Sequence, residues 1–157
     1  MRRIRRLFIG VTLFFLIAAG STAQNITINN DLVFGDMFPG VPKTISKYTA
    51  GAAAEFNVRG TNGAEVSIQF TLPTKMTKIG VSIQMIFFNT DCAVDTRPNP
   101  IQASPLFDNL NPWSTLLYRI GVQGLTIYLG GTVVPRIVQP PGAYTADITL
   151  TVAYTGA

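Results

Sequence analysis

The residues of this chain that could do chemistry are few, and their types exclude most reactions. There is no histidine, so the usual proton acceptor for a serine or cysteine nucleophile is missing. The carboxylates are scattered, and no glycine-rich loop runs from a strand into a helix. Gly130-Gly131 reads as a bulge or tight turn. Asn89, Asp91 and Asp95 offer oxygens of the kind calcium takes, but no further acid completes a ligand set, and an ordinary solvated loop is the simpler reading. Cys92 is the single cysteine, so it has no partner for an intrachain disulfide and no companions for zinc. A bond to another molecule and a buried or capped thiol are its two alternatives. Trp113 and Tyr118 could together form a sugar-stacking platform; the alternative is that Trp113 plugs the edge of a core. The expectation is a protein that is not an enzyme and needs no cofactor or metal.

The composition points to association instead. Arg2, Arg3, Arg5 and Arg6 precede a short apolar run from Leu7 to Ala18, and Ser21-Thr22-Ala23 supplies small residues for cleavage. Residues 1–23 therefore read as a secretory signal peptide, with a run too short for a stable membrane anchor. Four of the twelve basic residues lie in that leader, and the remaining eight equal the eight acidic residues. Residues 24–157, read as one domain, are then neutral, and the basic character that would suggest nucleic acid disappears with the leader. No later apolar run is long enough for a permanent membrane span. A neutral, sparsely charged exported chain tends to associate, including with copies of itself.

The elements that must position these residues alternate with period two. Tyr144, Ile148, Leu150, Val152 and Tyr154 share one parity, with Ala146 among them, and Thr145, Asp147, Thr149, Thr151 and Ala153 take the other. That predicts one long strand with an apolar and a wet face. Residues 55–59 and 65–72 also alternate, and Gly60-Thr61-Asn62-Gly63 between them predicts a hairpin. Val81, Ile83, Met85 and Phe87 form another apolar row, followed later by Leu125, Ile127 and Leu129. Pro135 within 132–138 predicts an edge or bent strand. The segment from Asn89 to Trp113, rich in proline, predicts a long surface excursion. Seven to nine such strands predict an all-β, antiparallel, immunoglobulin-like β-sandwich.

Gly142 at the head of the last strand, twelve residues before Tyr154, resembles the C-terminal signature of chaperone–usher pilus (fimbrial) subunits. The pieces Asp31-Leu32-Val33-Phe34-Gly35, Phe56-Asn57-Val58-Arg59-Gly60, Leu129-Gly130-Gly131-Thr132 and Gln139-Pro140-Pro141-Gly142-Ala143-Tyr144 resemble a family of exported bacterial proteins known only as a domain of unknown function. That family looks like a relative of pilus subunits. The resemblance implies a fimbrial homopolymer at the cell surface. A periplasmic chaperone and an outer-membrane usher would handle the strand bearing Gly142, Tyr144, Ile148, Leu150, Val152 and Tyr154. A donor strand drawn from Ile26, Ile28, Leu32 and Phe34 would lend apolar side chains and backbone hydrogen bonds to a neighbour's sheet, while the resemblance itself places Leu32 and Phe34 in the subunit's own first strand. Ile26 and Ile28 would contribute roughly 3–6 kcal/mol if fully buried. Completion of the chain's own sandwich by the same segment is the alternative. A second functional reading is a self-complete extracellular sandwich that binds glycan or a surface partner through residues 89–115.

Overall fold

Alternating apolar residues can all be sheltered only if strands pair into sheets and the sheets face one another. The computed structural model, which describes residues 24–156, contains twelve strands and, among those residues, no helix. They are β1 (Asn25–Asn30), β2 (Lys43–Ile45), β3 (Ala54–Arg59), β4 (Glu65–Thr71), β5 (Lys75–Lys78), β6 (Val81–Ile86), β7 (Cys92–Asp95), β8 (Phe107–Leu110), β9 (Leu116–Arg119), β10 (Leu125–Leu129), β11 (Gly131–Val134) and β12 (Thr149–Tyr154). The signal peptide expected at 1–23 lies outside the described residues.

The strands form three antiparallel sheets, in the orders β1-β3-β10-β7-β8, β2-β11-β6-β5 and β12-β4-β9. The two smaller sheets are joined where Thr145 exchanges both backbone hydrogen bonds with Thr77 of β5, at 2.8 and 3.0 Å, before the chain reaches β12. One core fills the space between the layers. Phe56, Val58, Val94, Leu125 and Ile127 of the five-stranded sheet contribute to it, as do Val66, Ile68, Ile83, Met85 and Val133 of the other two. Phe56 and Phe70 meet with ring centroids 6.0 Å apart. The sandwich class is the expected one; the strand number exceeds the expected seven to nine because several runs break into short pieces.

Four expectations are corrected. The hairpin of residues 55–72 does not form: β3 and β4 belong to different sheets. Their alternation satisfies a sandwich equally well, with both apolar rows meeting face to face across the core instead of side by side. Gly60 to Gly63 is therefore a corner between layers. Pro135 does not mark an edge strand, because β11 stops at Val134 and lies between β2 and β6. Proline's missing N–H thus falls beyond the ladder. The last strand is regular only over Thr149–Tyr154, since residues 144–148 are crossing from the edge of β5 to β4.

The fourth correction concerns residues 89–113. This segment is no simple surface excursion: β7 is buried at all four positions and pairs with both β10 and β8. Cys92 sits in that strand with no exposed surface, and burial pushes its thiol up to about 12. Asp95 is 1% exposed. Its carboxylate accepts from the Arg97 backbone N–H at 3.0 Å, the Arg97 Nε at 2.9 Å, the Ile101 N–H at 3.1 Å, and Arg97 Nη2. Burial alone would raise its pKa; the Arg97 and backbone hydrogen bonds outweigh that and hold it below the usual carboxylate range. Its oxygens are thereby committed within the chain. Lys47, also buried, donates to Thr90 O at 2.6 Å and Asn109 Oδ1 at 3.1 Å and pairs with Asp108 at 3.1 Å.

One strand passes through both layers: β10 continues into β11 across Gly130. A Cβ on Gly130 would stand 2.6 Å from Ile45 O and 2.7 Å from the Lys47 N. Gly130→Ala should therefore lower stability by about 1–3 kcal/mol, measurable as a drop in urea midpoint at unchanged slope. The acid side of the stability curve should report Asp95. Its native pKa lies below the ordinary value, so its contribution is complete above about pH 5 and is lost as pH falls through the native value. Melting temperature should decline on acidification, and Asp95→Asn should be less stable at neutral pH with a shallower acid decline.

Candidate functional site

The site is built from the two sheet margins that carry the first and last strands. Among the described residues β1 pairs only with β3, and β12 only with β4. Ile26 stands opposite Val58 and Ile28 opposite Phe56. Cross-strand partners point to the same face of a sheet, and Val58 and Phe56 are buried. Ile26 and Ile28 therefore point inward. Even so, they are 38% and 61% exposed, because the facing layer does not extend far enough to cover them. Across the gap, Ala146, Ile148, Leu150, Val152 and Tyr154 are only partly buried against the core.

The result is an open seam. A groove of about 460 Å³ runs between β1 and residues 144–148, with Ile28, Leu32, Phe56, Met85, Tyr144 and Ile148 among its walls. The outer edge of β12 keeps backbone groups directed into this seam. With its amide oriented to satisfy both partners, Gln24 donates to Val152 O and accepts from Tyr154 N, each at 3.1 Å. One side-chain amide there makes the pair of bonds that a strand's peptide group would make.

The candidate donor residues separate into two pairs. Ile26 and Ile28 lie on the margin. Phe34 is 4% exposed, and Leu32 is packed half-buried against the core, with the Val33 N–H donating to Ala52 O at 2.8 Å. A register shift between Ile28 and Asn30 separates the pairs.

In the last segment, Gly142 has φ +139° and lies against the Lys78 side chain, whose Nζ donates to Pro141 O. Tyr144 is buried, donating to Pro140 O and accepting from Gln139 Nε2, both at 2.7 Å. Tyr154 accepts from the Thr61 N–H at 2.9 Å, tying the end of β12 to the corner between layers. Trp113 and Tyr118 contact different rings. Trp113 is 53% exposed, donates Nε1 to Phe87 O at 2.9 Å and meets the Phe87 ring edge-on. Tyr118 meets the Phe107 ring at a tilt of 46°, with centroids 4.7 Å apart.

Sequence reasoning missed buried Lys47 and read Asp95 only as a candidate calcium oxygen, because a single polar residue has no periodicity to betray the partners it gathers. Asp95-Thr96-Arg97 followed by two prolines is the one local signal available. Among the described residues no three His, Cys, Asp or Glu side chains group as metal ligands, and no helix is long and apolar enough to cross a membrane.

The chain belongs to the family described as a domain of unknown function (DUF4402), whose sequence pattern matches residues 17–154. No curated protein matches it significantly.

The two faces of β12 give a direct test. Val152 is opposite fully buried Ile68, whereas Thr151 is exposed. Val152→Asp should cost about 1–3 kcal/mol or more, and Thr151→Asp should stay within about 0.5 kcal/mol of wild type. Paired melting curves check this.

Proposed function

We propose that this protein is a structural subunit of an exported, pilus-like surface filament of bacteria, polymerising by exchange of its first strand. One observation carries the reading: a marginal strand with an inward apolar row left half-covered stands beside an edge whose backbone groups already accept an amide. An edge paired with one strand only is a template for another chain, and addition of a strand is an established mode of peptide capture. The chain's β1 has the alternation to fill an equivalent place on a second copy. The seam and its residues 144–154 form the surface that a periplasmic chaperone would hold before an outer-membrane usher admits the subunit. The absence of histidine from the sequence supports a structural role over a catalytic one. The resemblance of the Gly142 to Tyr154 spacing to pilus subunits supports the same choice.

Deleting Gln24 to Asn30 tests the mechanism. Ile26 and Ile28 are partly exposed, so their loss should cost the monomer less than the roughly 3–6 kcal/mol of complete burial. The truncated protein should remain folded with a lower melting temperature, and added peptide spanning 24–30 should restore it. Wild type should form long multimers, checked by electron microscopy and size profile, and the truncated protein should form none. A truncated protein that still makes them, or a wild type that never does, would overturn the strand-exchange reading.

A further inference from the structure

The outer face of the five-stranded sheet carries a second concavity, separate from the seam. Thr27, Asn57 and Thr126 stand side by side on β1, β3 and β10, and strands lie about 4.8 Å apart. Asn57 Nδ2 approaches Thr126 Oγ1 at 3.3 Å, and Arg59 Nε donates to Asn57 Oδ1 at 3.2 Å. Asn29 donates to Glu55 Oε1 at 2.9 Å. The next residue of the row is Asp95, and there the face ceases to be flat. The chain after β7 rises as a wall bearing Pro98 and Pro100, enclosing a cleft of about 350 Å³.

This wall is held rigidly. The Asp95 carboxylate fixes its two ends through the Arg97 and Ile101 N–H groups, and Arg97 Nη2 also donates to Ser104 O. An ion pair whose arginine is partly exposed, as Arg97 is, contributes little net stability. What this one does is fix the shape of a proline-stiffened loop over a polar floor, and a shape fixed before binding lowers the cost of binding.

The chemistry of the cleft selects a ligand class. Arg97 is neutralised by Asp95, and Arg59 shares the cleft with Glu55. Local charge is balanced, so neither an anion nor a cation is favoured. The floor is polar, so an apolar ligand would strip water from it without replacing those bonds. Its amides and hydroxyls each donate and accept, as sugar hydroxyls do, and the proline rings give the C–H face of a sugar an apolar surface. The volume lies at the lower end of ligand clefts. We infer that this cleft binds a short stretch of a neutral glycan, through Thr27, Asn57, Asn29 and Glu55 against the Pro98–Pro100 wall, with buried Thr126 holding the Asn57 amide. The inference goes beyond the filament reading and does not depend on it. The site also differs from a Trp113 platform. Because β1 supplies Asn25, Thr27 and Asn29 to the cleft, strand exchange would complete each cleft with a neighbour's residues.

Titrating the purified, isotope-labelled protein with neutral hexasaccharides of glucose, mannose and N-acetylglucosamine tests this, with a heparin hexasaccharide as the anionic comparison. At least one neutral sugar should shift the Asn57 and Asn29 side-chain amide signals saturably, and heparin should not. Thr27→Lys, a substitution on an exposed strand position, and Asn57→Ala should each weaken binding at least tenfold while the protein still melts cooperatively. No shift with any neutral sugar would overturn the inference, as would binding of heparin alone. Undiminished binding in both variants, or loss of binding only in Trp113→Ala, would also overturn it.

Discussion

The sandwich depends on one strand being shared by both of its layers. Residues 125–129 pair with β3 and β7 in one sheet, and residues 131–134 pair with β2 and β6 in another. Between them the chain must pass the backbone of Ile45 to Lys47 at a distance that leaves no room for a Cβ. Glycine at 130 is therefore a condition of the architecture. The strand brings Leu125, Ile127, Leu129 and Val133 into a single core, each fully or almost fully buried, at about 1.5–3 kcal/mol per side chain. The same crossing orders the 46–48 loop, where Lys47 gathers Thr90, Asp108 and Asn109. The shared strand thus organises the center of the molecule and leaves the margins to weaker devices.

The margins are where the proposed function is found. At the center, each strand has two neighbours and an opposing layer. At the β1 and β12 edges, each has one neighbour and half an opposing layer, and the partly covered Ile26 and Ile28 follow from that geometry. Phe34 and Leu32 are anchored in the core just beyond the register shift at Asn30. A strand held by backbone bonds and two exposed apolar side chains can separate from a body held by a whole core. Such a junction suits exchange between copies, because the strand would make equivalent contacts in either place.

Parity was legible in the sequence, and adjacency was not. The alternation of residues 55–59, 65–72 and 149–154 identified the inward residues Phe56, Val58, Val66 and Ile68 and the half-buried Leu150 and Val152, because period two depends only on which face is dry. Whether two alternating strands lie beside or across from each other leaves parity unchanged, and for that reason β3 and β4 read as a hairpin. Residues 92–95 escaped for the opposite reason. With both faces covered, as at β7, alternation disappears, and the surrounding prolines are the stronger signal. The seam was half legible: the apolar rows of β1 and β12 could be read, but their incomplete cover depends on how far the opposing layer reaches.

The covering of that second face also explains how the long 89–113 segment is ordered with no disulfide available. Cys92 opens the interior strand β7 with its thiol protonated by burial, so it behaves as a small apolar side chain. Ordering falls to two buried charges of opposite sign. Lys47 holds the segment at Thr90 and again at Asp108 and Asn109, and Asp95 holds it at Arg97 and Ile101. Each must retain its partners, since a buried charge left alone costs far more than the pair contributes. The two pins therefore act less as a source of stability than as a constraint on conformation. They limit the proline-bearing loop to one position over the outer face of β3 and β10, and this turns a solvated strand surface into a cleft.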